Sequence, residues 1–119
     1  MSTTTDPRIL AGMKAQMASL AADFRAGGQR LGWKAGFGAP AAQAKFQLSG
    51  PLTGYMLKSA LVDNGATVSL AGWTKPVAEP EICVRIGKDL AAGASEAQVR
   101  AAITGLGPAF ELVDLMFPP

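Results

Sequence analysis

Val77-Ala78-Glu79-Pro80-Glu81-Ile82-Cys83-Val84-Arg85-Ile86 is a run of β-formers interrupted by two glutamates one residue apart. A strand has a side-chain period of two, so Glu79 and Glu81 point to one face, with Cys83, and Ile82, Val84 and Ile86 point to the other. A third carboxylate, Glu111, lies in a similar apolar run, Pro108-Ala109-Phe110-Glu111-Leu112-Val113. A buried acid is costly unless it is paired or binds a metal. Three converging carboxylates would form an all-oxygen site for a hard divalent cation such as Mg²⁺ or Mn²⁺. On spacing alone the more ordinary reading of Glu79 and Glu81 is a solvated strand face, and Pro80 fits an exposed edge strand. Glu111, with apolar neighbours on both sides, strengthens the metal-site reading modestly. Cys83 reads as a small core residue, since a thiolate suits softer metals.

Composition limits what else the chain can do. With 119 residues, 49% of them hydrophobic and 17% charged, it reads as one globular domain and not a disordered segment. The net charge is only +2 and the basic residues are scattered, so neither a nucleic-acid nor a membrane footprint is expected. Cys83 has no second cysteine to pair with, which fits a reducing compartment. There is no long uncharged apolar stretch and no signal-peptide pattern, so the expectation is a soluble, cytoplasmic protein. The absence of histidine removes Ser-His and Cys-His nucleophiles and the usual zinc sites from this chain. Acid–base chemistry is left to carboxylates, lysine, Tyr55 or metal-bound water.

Thr5-Asp6-Pro7 opens a helix, and Ile9, Leu10, Met13, Met17, Leu20 and Phe24 follow at helical spacing to Gly27-Gly28, which predicts a helix over 7–26 with both methionines in the core. Leu31 to Gly38 predicts a strand running into a turn at Gly36-Phe37-Gly38. Pro40 to Phe46 predicts a short helix with Gln43 and Lys45 exposed. A strand over Tyr55–Leu61 follows, then a turn at Asp63-Asn64-Gly65 and a strand over Thr67–Leu70. After the glutamate strand, which ends at Gly87-Lys88-Asp89, Ser95-Glu96-Ala97-Gln98 is a capping box. Its helix is expected to run to about Thr104 and stop at Gly105, and the Glu111 strand comes next. Strand, helix, strand with short connections predicts a right-handed crossover joining two parallel strands, which could bring Glu111 beside the glutamate pair. Lys34, in Leu31-Gly32-Trp33-Lys34-Ala35-Gly36, is either an ordinary surface lysine or one set near a cation, where a lowered pKa suits proton transfer.

Taken in order, several segments resemble the fumarylacetoacetate hydrolase superfamily, in particular its 2-keto-4-pentenoate hydratase and 4-oxalocrotonate decarboxylase branch. They are Gly32-Trp33-Lys34-Ala35-Gly36 with Pro40 and Gln43, Gly50-Pro51-Leu52-Thr53-Gly54, Pro76 to Ile82, Gly87-Lys88-Asp89-Leu90, and Pro108-Ala109-Phe110-Glu111-Leu112-Val113-Asp114. The resemblance implies an α+β fold in which the 7–26 helix is followed by part of a mixed β-roll over 31–119. The whole would be a single domain forming the N-terminal half of a longer family fold. It implies Mg²⁺ or Mn²⁺ on Glu79, Glu81 and Glu111, chelating the carboxylate and 2-oxo oxygen of a 2-oxo acid and stabilising its enolate. Lys34 would assist proton transfer between enol and keto forms, before water adds to the conjugated double bond. The implied activity is that of a metal-dependent 2-oxo acid lyase, a hydratase of aromatic-compound catabolism. The alternatives are a C–C hydrolase, a 2-oxo acid decarboxylase, or a truncated, non-catalytic remnant. The implied partners are a small 2-oxo acid and either further copies of the chain or a complementing C-terminal chain. Two departures stand out. The hydratases carry an acidic residue just before the Gly54 position, where Leu52 and Thr53 stand here, and family members continue beyond Phe117-Pro118-Pro119.

Overall fold

The computed structural model describes residues 6–116, so Thr5 and the Phe117-Pro118-Pro119 end lie outside the described residues. The chain is α+β and divides into two compact units, one ending at Ala66 and the other beginning at Thr67.

The first unit holds α1 (Pro7–Arg25), β1 (Arg30–Gly36), α2 (Pro40–Lys45) and β2 (Leu52–Leu57), followed by a single 3-10 turn, Lys58–Ala60. Asp6 caps α1: its carboxylate accepts the Arg8 N–H at 2.8 Å and pairs with the Arg8 guanidinium at 2.7 Å. Those bonds, the side-chain one foremost, hold the Asp6 carboxyl down at about 2. The apolar stripe of α1 is only partly covered. Leu20 is buried, but Met13 and Met17, expected in the core, are 44% and 42% exposed. The stripe is longer than the surface that the described residues lay against it.

β1 and β2 pair antiparallel, with Trp33 opposite Tyr55 and Lys34 opposite Gly54. The Tyr55 hydroxyl donates to Asp23 at 2.9 Å and ties α1 to this pair. The turn after β1 is held by Gln43, whose side-chain amide donates to the Phe37 carbonyl at 2.9 Å and the Gly38 carbonyl at 3.3 Å. Phe37 needs that support because its φ is +57°. Its ring meets that of Phe46 edge-on at 5.2 Å. The strand expected over 55–61 starts earlier, at Leu52, and stops at Leu57. Thr67–Leu70 is not a strand, since no neighbouring strand pairs with it and four residues cannot hold a ladder alone.

The second unit is β3 (Pro76–Ile86), α3 (Glu96–Ala102) and β4 (Ile103–Asp114). The expected parallel crossover is not what forms. β3 and β4 pair antiparallel along their whole length, from Pro76 opposite Asp114 to Ile86 opposite Ile103. The connection closes on itself, so β4 starts beside the end of β3 and not at its beginning. The seven-residue α3 sits in the return of a long hairpin instead, closed by the Gly87 N–H on the Ala102 carbonyl at 2.8 Å. Gly87 has no room for a β-carbon, which would collide with the Thr104 methyl. The Ser95–Gln98 capping box is present in full, but α3 ends at Ala102, and Gly105 lies inside β4 opposite Arg85 rather than stopping the helix.

Both strand pairs are two-stranded and antiparallel, so the mixed β-roll implied by the resemblance is not formed by either pair. No described helix is long and apolar enough to cross a membrane.

Candidate metal centre

β3 supplies Glu79 and Glu81, and β4 supplies Glu111. In an antiparallel pair, residues directly opposite share a face, and Glu79 stands directly opposite Glu111. Glu81, two residues along, falls on the same face opposite Ala109. One ligand oxygen from each of the three lies within 4.8 Å of the others. The convergence foreseen from the sequence is therefore present, although it arises from an antiparallel hairpin and not from a crossover. The expectation of burial is met only in part, since Glu79 and Glu111 are half-buried and Glu81 is exposed. Cys83 lies further along the same face opposite Gly107 and is exposed, so it is not the core residue the sequence suggested.

The donor set fits a hard cation. In an octahedral Mg²⁺ shell with Mg–O of ~2.1 Å, adjacent oxygens are ~3.0 Å apart and opposite ones ~4.2 Å. The three carboxylate oxygens, all within 4.8 Å of one another, are close to the scale of that shell. Like charges directly opposite on a strand pair are destabilising, and Glu79 and Glu111 are such a pair. A divalent cation held there would turn that repulsion into shared ligation. Three protein oxygens would leave about three coordination positions for water or a chelating substrate.

Lys34 belongs to the first unit. Its side chain is half-buried on β1, and its stem passes over Gly54 of β2. Sequence reasoning missed this close approach. It also missed two residues of the resemblance segments that turn out to hold the backbone: Gln43, at the turn after β1, and Asp114. The Asp114 carboxylate accepts the backbone N–H groups of Lys75 at 2.8 Å, Thr74 at 2.9 Å and Met116 at 3.3 Å, and so fastens the start of β3 to the end of β4. The Thr74 and Lys75 bonds, in that order, hold its carboxyl below the usual carboxylate range.

No family model matches the chain. The chain is similar to a 4-oxalocrotonate decarboxylase from Pseudomonas sp, with 32% identity over 88 residues. The matched segment is 74% of this chain and 34% of the relative, so the chain spans about a third of that relative's length.

Proposed function

We propose that the chain carries the divalent-metal centre of a lyase acting on 2-oxo acids. The observation that carries this reading is the convergence of Glu79, Glu81 and Glu111 on one face of the β3–β4 hairpin. It is supported by the similarity to a 4-oxalocrotonate decarboxylase and by the resemblance of the glutamate segments. When bound there, Mg²⁺ or Mn²⁺ would act as a Lewis acid for an enolate of the 2-oxo acid. The three glutamates would bind the cation, and their open side would orient the carboxylate and 2-oxo oxygens of the substrate. Lys34 would hold or release a proton at the carbon next to the oxo group. Its role rests on the Gly32–Gly36 resemblance and on the half-burial of its side chain.

Within this reading, decarboxylation is favoured over hydration. β2, which reads Leu-Thr-Gly-Tyr-Met-Leu, contains no carboxylate, so the acidic residue that would activate water for hydration has no counterpart there. The relative's name also points to decarboxylation. The competing reading is a non-catalytic remnant that retains the carboxylates. To separate them, the purified chain with Mg²⁺ or Mn²⁺ is tested against 2-oxo acids, following CO₂ release, loss of the diene chromophore and deuterium exchange next to the oxo group. Metal-dependent turnover or exchange that is lost in Glu79→Gln supports the enzyme. Metal binding without either supports the remnant. In an active preparation, Lys34→Met is expected to slow exchange by about tenfold or more, the lower part of what a positioned acid–base group supplies.

A further inference from the structure

Glycine inside a strand forfeits side-chain packing and carries an entropic cost, so its presence calls for a reason. Gly54 lies mid-strand in β2, and its backbone is not in the left-handed region that glycine alone tolerates easily. Its reason is room. A β-carbon at Gly54 would stand 3.1 Å from Cγ and 3.4 Å from Cδ of Lys34, the residue directly opposite it on β1. The side-chain amide of Gln16, from α1, lies 3.9 Å from the same point. The stem of Lys34 therefore lies against bare backbone, in a slot bounded by β1, β2 and a side chain of the helix. The other glycines of this pair leave Lys34 alone: a β-carbon at Gly32 would meet only the tip of Met56, at 3.5 Å, and one at Gly36 only the Leu52 carbonyl, at 4.0 Å.

We propose that Gly54 is the positioning residue for Lys34: by lacking a β-carbon it lets the lysine stem lie across β2, which fixes where the ammonium group stands. The inference rests on the role given to Lys34 above. A lysine has four rotatable stem bonds and loses reach and direction unless something restrains them. A group that passes a proton must come within hydrogen-bond distance of the reacting atom. Alanine at position 54 fits the strand backbone but pushes Cγ outward, and that shift grows along the further bonds to Nζ. The fold survives, because a flexible stem yields before backbone does, while the ammonium moves.

The test uses the full chain with ¹³C-labelled lysine, comparing Gly54→Ala with Gly32→Ala as a matched control on the same strand pair. Gly54→Ala is expected to shift the Lys34 Cε resonance and to change its rate of labelling by an amine-specific reagent about threefold or more, with Lys14 unchanged. Gly32→Ala is expected to leave both readings of Lys34 as they are. An unaltered Lys34 resonance and labelling rate in Gly54→Ala overturns the positioning inference, whatever Lys34→Met does to exchange. If Gly54→Ala unfolds instead, Lys34→Ala is added to delete Cγ. Recovery of the melting temperature then upholds the contact, and no recovery overturns it.

Discussion

Asp114 accepts three backbone N–H groups, and its work is structural: it clamps the mouth of the β3–β4 hairpin. Its folded-state proton affinity is depressed, so the stability it contributes is present above the ordinary carboxyl value of 3.8 and is lost as pH falls below it. Asp114→Asn, which keeps the shape but weakens acceptance of three N–H groups, is expected to lower the melting temperature by several degrees at neutral pH and to flatten its acid dependence, read by thermal scans from pH 3 to 7. Tyr55 works in the opposite direction. Its hydrogen bond to Asp23, with burial and the Asp23 charge behind it, raises its proton affinity, so its contribution is complete below 10.0 and is lost as pH rises past that value. Tyr55→Phe should remove that alkaline loss, read in a second set of thermal scans carried above pH 10.0. For the glutamates the readout is the cation. Millimolar Mn²⁺ should raise the melting temperature by mass action, and Glu79→Gln or Glu111→Gln should cut that rise by half or more, because each removes a charged ligand. A melting curve indifferent to Mn²⁺ in the parent chain would remove the site.

At the scale of elements, local signals were legible and long-range ones were not. Proline after a capping aspartate gave α1 to within a residue, and Ser95 with Gln98 gave α3 its start, because caps are short-range chemistry that the sequence spells out. The face shared by Glu79 and Glu81 followed from parity alone. Strand direction did not. The crossover expectation came from element order, which does not distinguish a helix that crosses over from one held in the return of a hairpin. The glutamate cluster survived the error because antiparallel register also sets Glu79 against Glu111. Gln43 and Gly54 were illegible for another reason: one acts through backbone carbonyls and the other through an absent atom, and neither leaves a periodic trace. A capping box that is fully formed predicts its own cost. Ser95→Ala should destabilise the second unit by about 1 kcal/mol, seen in denaturant melts, with the Mn²⁺-induced stabilisation kept because α3 supplies no ligand.

For the whole molecule, the decisive feature is how little of its apolar surface is covered. Among the described residues only Leu20 and Ala102 are buried hydrophobic residues. In the second unit, the face of β3–β4 that faces away from the glutamates carries Ile82, Leu106 and Phe110, which are 75%, 69% and 73% exposed, with Val84 and Leu112 beside them. That face is a contiguous patch with no charged side chain between Ala78 and Ile86 on β3, and such patches drive association. The chain in solution is therefore expected to run as a dimer or larger species on sizing, and to bind a dye that reports apolar surface. Because the glutamates and the patch lie on opposite faces of one strand pair, the two properties should separate. Ile82→Lys with Phe110→Lys should shift the chain toward monomer and reduce dye binding while preserving the Mn²⁺-induced rise in melting temperature. A parent chain that is already a monomer and binds no dye would mean that the face is covered in solution by something within the chain.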